Sequence, residues 1–265
     1  MKTLIFKTKK RVFGSLSGRH LSKFKGEGID FKEIREYTYG EDAKKIDWKI
    51  SAKLQKPVIK EFEESRELNI MILYLINGSM HFGSIRLKSE TALETIAILG
   101  FSALKEDDKI SVITFDKKPI HFKPTKSVNT FSGILENISK MDILKKDYDF
   151  TFIDYLNRFK KSLLFVVGDF YKIPPLHKLK HETYAIIIRD KFEENPKFSG
   201  FVELINPMDL KEYEASFSSR TIKKYKQYIQ NHDKKLFSYL NSKKIKHTKI
   251  YTNEDTFYKL KEMLK

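Results

Sequence analysis

Apolar positions follow one rhythm after residue 69 and another before it. "NIMILYLI" (69–76) is a continuous apolar run bounded by turn residues, as expected of a strand buried on both faces. "KISVITF" (109–115), "SLLFVVGDF" (162–170) and "TYAIIIRD" (183–190) repeat the pattern, and "HTKIYT" (247–252) adds a late strand. Helical spacing lies between them. Residues 88–106 bring Leu93, Ile96, Ala97, Leu99 and Leu104 near one face, and 127–141 form a second helix with Ser127 as its cap. A short helix is predicted over 152–159. The longest, over 219–244, takes its apolar face from Ile222, Tyr225, Ile229, Leu236 and Leu240, and 254–264 closes the chain. Strands alternating with helices predict an α/β fold with a doubly wound, mostly parallel sheet.

Residues 1–68 have a different texture. They are rich in glycine and charge, with apolar runs no longer than "LIF" and "VIKEF". Short strands, loops and a hairpin are expected there. The chain thus divides into an N-terminal strand/loop extension, 1–68, and an α/β domain, 69–265.

Composition narrows the class. The 265 residues suffice for a buried core, and 40% hydrophobic content argues against a disordered chain. No apolar run nears the roughly 18 residues of a membrane span. The N-terminal "LIF" falls short of the about 7 to 15 apolar residues of a secretory leader. The absence of cysteine removes disulfides and thiolate metal sites. A cytoplasmic protein is expected. The net charge of +16 raises nucleic-acid binding as an alternative. Against it, only eight of the 51 basic residues are arginine, the residue favoured for base readout and phosphate clamps. "KTKKR" (7–11) is read as a solvated terminal arm.

In doubly wound sheets, sites lie beyond the carboxyl ends of the strands. Two such ends stand out, "LINGSM" and "VVGDF". Ser79 follows Gly78 but lacks the Gly-x-Ser-x-Gly frame of a nucleophile elbow, and His81 is too near in sequence to act easily as its base. Gly26 and Gly28 lack the third glycine of a dinucleotide loop, and no P-loop occurs. His177 and His181 have a metal-ligand spacing, with Glu182 adjacent, but Lys178 stands where a zincin has Glu; a solvated basic segment is the plainer account. For a hard cation such as Mg²⁺, Asn77 and Ser79 offer oxygens on one turn, Asp169 a carboxylate on another strand, and Thr151 a hydroxyl. The plainer account makes Asn77–Gly78 a turn and Asp169 a cap. Farther upstream, Arg35, Tyr37, Gly40, Asp42, Asp47 and Trp48 crowd one stretch, either as an ion-paired turn or as a docking surface.

These residues carry a resemblance. "GEGIDFKEIREYTYGEDAKKIDWKISAK", then "VIKEFEESRE", "SMHFGS" and "VVGDF", closely resemble the bacterial family called domain of unknown function 58. The resemblance covers about residues 11 to 262. It implies a von Willebrand factor A-like fold. It also implies a partner, a MoxR-type AAA+ ATPase, with which family members are thought to assemble, activate or metallate client proteins. The family's Asp-x-Ser-x-Ser metal motif falls on Leu75–Ser79, so that Leu75 replaces the leading aspartate and Asn77 the first serine. Gly168 replaces the serine of Ser-Asp-Phe, with Asp169 kept, and Thr151 is assigned to the motif's threonine. The resemblance therefore implies a degenerate metal-ion-dependent adhesion site on a non-enzymatic adaptor. A nucleic-acid binder and a metal-dependent hydrolase remain as alternatives.

Overall fold

The apolar runs become the middle of a six-stranded sheet. The computed structural model describes residues 2–14, 30–63, 69–198 and 200–264. In chain order the elements are α1 (Lys2–Gly14), β1 (Asp30–Glu36), α2 (Trp48–Leu54), β2 (Val58–Glu63), β3 (Asn69–Leu75), α3 (Lys88–Lys105), β4 (Lys109–Phe115) and β5 (Pro119–Thr125). Then come α4 (Val128–Ser139), α5 (Phe152–Leu156), β6 (Leu163–Gly168), β7 (Glu182–Arg189), α6 (Lys191–Glu194), β8 (Gly200–Ile205), β9 (Glu212–Phe217), α7 (Ser219–Ser242), β10 (Lys246–Tyr251) and α8 (Thr256–Met263). Two compact units emerge, one of Met1–Ser22 with Asn69–Lys265 and one of Lys23–Leu68.

In the larger unit the strand order is β10-β7-β6-β3-β4-β5. All neighbours pair in parallel except β5, which runs antiparallel to β4 at the edge. This is the expected doubly wound α/β fold. Side chains alternate across a strand, so β3 serves two cores. Met71, Leu73 and Leu75 join Leu164, Val166, Ala185 and Ile187 beneath α5 and α7, where Phe152, Leu236 and Leu240 complete the cluster. Ile70, Ile72 and Tyr74 face the other side, where α3 contacts β3, β4, β6 and β7. The order turns at β3: α3 carries the chain to β4 on one side, while β6 lies on the other. Such a switch point opens a crevice between the two carboxyl ends.

The N-terminus departs from expectation. Residues 2–14 are helical, and "KTKKR" lies within α1 rather than forming a solvated arm. Ile5, Thr8 and Val12 recur at helical spacing and are buried, and α1 packs against α3. Fully burying Ile5 or Val12 contributes about 1.5–3 kcal/mol each, enough to dock a helix whose text is mostly charge. Phe13 meets Phe101 edge-on at 6.2 Å, and Arg11 reaches Asp255 at 2.8 Å.

The smaller unit holds the expected hairpin. β1 and β2 pair antiparallel, with a bulge between Phe31 and Glu33. A second antiparallel pair, β8–β9, is unforeseen and follows α6 in the larger unit. Its turn meets the loop after β3: a Cβ on Gly78 would lie 2.2 Å from the Pro207 carbonyl oxygen, so only glycine fits. Gly26 and Gly28 lie outside the described residues.

Candidate functional site

Three of the four candidate ligands meet at the switch point. After β3, the Asn77 side chain accepts from Met80 N (3.2 Å) and starts the short turn Gly78–His81. That bond fixes the amide's orientation, with Oδ1 also accepting from Ser79 Oγ (2.8 Å) and Nδ2 donating to Asp169 Oδ1 (3.0 Å). Ser79 Oγ also contacts Asp169 Oδ2. Asp169 follows β6, is fully buried, and accepts from Tyr171 N at 3.3 Å. Between them Phe170 takes a left-handed backbone, φ +56°, with its ring buried in the core. A non-glycine residue held there stores strain of order 1 kcal/mol or more, offset by packing that aims Asp169. Thr151 does not join them. It is exposed and donates to Asp149 Oδ1 at 2.6 Å.

A residue absent from the sequence reading fills the space beside Asp169. Lys88, the first residue of α3, is fully buried, with Nζ 3.7 Å from Asp169 Oδ2 and 2.8 and 2.9 Å from the Glu193 oxygens. Its ammonium lies 5.1 Å from the Tyr171 ring centroid, and the other side of this neighbourhood is held by Arg189, 3.7 Å from the same centroid. Arg189 is itself buried and pairs with Asp233 at 3.2 Å. Burial opposes ionisation of Asp169, but Lys88, Ser79, Arg189 and Asn77 outweigh it and hold its pKa below the ordinary carboxylate value. Glu193 moves the other way although Lys88 is nearer to it: burial pushes its pKa up, and Lys88 offsets only part.

The network continues along the carboxyl edge. Asp190, also fully buried, accepts from Ser84 N (3.0 Å), Thr252 Oγ1 (2.5 Å) and Phe192 N (2.8 Å), tying β7 to the loops after β3 and β10. Beside it opens a cleft of about 480 Å³ lined by Ser84, Phe192, Glu194, Tyr251 and Thr252. Sequence reasoning missed Lys88, Arg189, Asp190 and Glu193. The available signal was the pair Arg189–Asp190 at the end of an apolar strand, where charge needs a buried partner.

A divalent cation does not fit this arrangement. Leu75, which the resemblance sets against a leading aspartate, is buried in the apolar cluster. The remaining carboxylate already faces an ammonium. Among the described residues no group of three His, Cys, Asp or Glu is placed to hold a metal. His177 and His181 are not set on one helical face. His177 lies in a three-residue turn against Tyr239. His181 is buried rather than solvated, its Nδ1 accepting from Ser162 N and its Nε2 within 2.9 Å of Leu156 O.

The second candidate cluster belongs to the smaller unit. Arg35 grips Glu41 with two bonds, 2.9 and 2.7 Å, while Tyr37 donates to the Glu41 carbonyl. The Arg35 bonds and Thr38 N bring the Glu41 pKa down to about 2. Gly40 supplies φ +105° at the turn, which favours glycine. Asp42 accepts from Lys44 N, and Asp47 caps α2 through Ile50 N (3.0 Å) while pairing with Lys60 at 2.6 Å. Five of the six residues thus hold the turn. The sixth, Trp48, is 69% exposed, and nearby Tyr39 is 99% exposed.

A family model described as "Protein of unknown function DUF58" matches residues 33–235. One uncharacterized protein of Mycobacterium bovis and two of Mycobacterium tuberculosis are 30% identical over 84 residues. The match spans 32% of this chain and only 26% of those relatives. Among solved structures, conserved hypothetical protein BatB from Bacteroides thetaiotaomicron aligns with TM-score 0.45 and 11% identity, over 74% of this chain and 97% of that one.

Proposed function

We propose, from the premise that this chain belongs to the DUF58 family, that it is a non-enzymatic interaction module. It acts as an adaptor between a MoxR-type AAA+ ATPase and a client protein. The observation that carries this reading is the pair of exposed aromatics, Tyr39 on the turn held by Arg35–Glu41 and Trp48 at the start of α2 beside the Asp47–Lys60 pair. Rigid, exposed aromatic anchors lose little entropy on docking and supply much of the energy at protein interfaces. The switch-point site gives secondary support, since its polar groups are committed to one another and to Lys88. No helix among the described residues is long and apolar enough to cross a membrane.

The test is copurification with ATP, using as bait the MoxR-type ATPase encoded nearest in the same genome. A stable complex that Trp48→Ala weakens by about tenfold or more is expected, the loss typical of an interface anchor. No association with the wild-type protein, or association indifferent to both Trp48→Ala and Tyr39→Ala, overturns the reading.

A further inference from the structure

Two carboxylates that would suit a hard cation face one nitrogen instead. Asp169 and Glu193 supply the carboxylates, the Ser79 hydroxyl contacts Asp169, and Asn77 braces Asp169 through its amide Nδ2. The two carboxylates follow different strands, Asp169 after β6 and Glu193 in α6 after β7, and both lie within 3.7 Å of Lys88 Nζ. Two buried acids this close repel unless a positive charge sits between them. Elsewhere that charge is commonly a metal ion. Here it is covalently attached to the first turn of α3, whose Lys88 N is anchored by the Phe82 carbonyl at 2.8 Å. The other nearby cation, Arg189, directs its guanidinium to Asp233 and stacks on Tyr171.

We infer that the Lys88 ammonium is the resident cation of the switch-point site, a tethered substitute for a divalent metal. The tether makes the site permanently occupied. Asp169 and Glu193 are held in place without any dissociable ion, so the conformation of the carboxyl edge does not depend on metal concentration. The inference does not rest on the adaptor reading. It concerns which ion balances these two acids, and it would stand if the partner were of another kind.

The consequence is reciprocal. Removing the ammonium leaves two carboxylates facing the vacated space, with the Ser79 hydroxyl against Asp169, a donor set that water can complete within the range that Mg²⁺ and Mn²⁺ accept. The experiment measures Mn²⁺ binding by electron paramagnetic resonance and thermal unfolding with and without Mn²⁺, near about pH 8 so that both acids are ionised. The proteins are the full-length wild type, Asp169→Asn, Lys88→Ala and Lys88→Ala/Asp169→Asn. The wild type should show no saturable Mn²⁺ site and no thermal shift. Lys88→Ala should be less stable, should regain stability in millimolar Mn²⁺, and should bind Mn²⁺ about tenfold or more tighter than the wild type. The double variant should lose that gain. Saturable Mn²⁺ binding by the wild type that Asp169→Asn abolishes overturns the inference. So does a Lys88→Ala protein that gains no affinity, or one that stays unfolded in millimolar Mn²⁺ when refolded with it.

Discussion

The resemblance sets Leu75 and Gly168 against an aspartate and a serine, and the two are neighbours in space. A Cβ placed on Gly168 would lie 3.2 Å from the Leu75 Cβ, tighter than ordinary contact. The two positions are therefore coupled: the backbone approach that brings the Leu75 Cβ this close favours glycine at 168. Gly168→Ser alone should destabilise the protein by about 1–3 kcal/mol through overpacking. Adding Leu75→Gly, which removes the contacting Cβ itself, should recover part of that loss beyond the sum of the single changes. Urea unfolding of the four proteins measures the coupling, and strict additivity would count against it. Leu75 was legible in the sequence because a motif frames it. Lys88 was not, since nothing local distinguishes it from the chain's many other lysines. Its role comes from Asp169 and Glu193, 81 and 105 positions away.

At the scale of elements, the buried strands and α3, α4, α7 and α8 could be read directly, because continuous apolar runs and helical spacing are strong signals. Several elements escaped, α1 and the β8–β9 pair among them. In α1 the buried face is only Ile5, Thr8 and Val12, a thin stripe among lysines. In β8–β9 neither face is buried, so no alternation marks the strands. The tie between α7 and the sheet is electrostatic as well as apolar. Asp233 of α7 meets Lys249 of β10 at 2.6 Å and Arg189 of β7 at 3.2 Å. Burial opposes its ionisation, but His232, Lys249 and Arg189 win and lower its pKa from 3.8 to about 2. A depressed carboxyl pKa stabilises the fold above the unfolded value and is lost as pH falls through the folded one. About 2 kcal/mol should therefore disappear between roughly pH 4 and pH 2, at ~1.4 kcal/mol per unit. Asp233→Asn should be less stable at neutral pH and show a flatter acid limb. Denaturant midpoints measured across that range decide it; parallel limbs would refute the assignment.

At the scale of the whole chain, the order of the units has mechanical meaning. The smaller unit is spliced between α1 and β3, so its two ends return to one body. The exits are unequally secured. β3 is central, pairs with β4 and β6, and buries six of its seven residues. The described part of the other exit, α1, has three buried side chains and one exposed salt bridge. Force applied to the smaller unit would load α1 and β3 together, and the helix would yield first, peeling from α3 while the sheet stays intact. Optical-trap pulling from the N-terminus against the C-terminus, which places α1 in the force path, should thus give an early, small extension before the main rupture. A disulfide engineered between α1 and α3 should abolish that early step and leave the later one in place. A motor gripping the smaller unit would meet a weak link that bares α3 before any strand is lost.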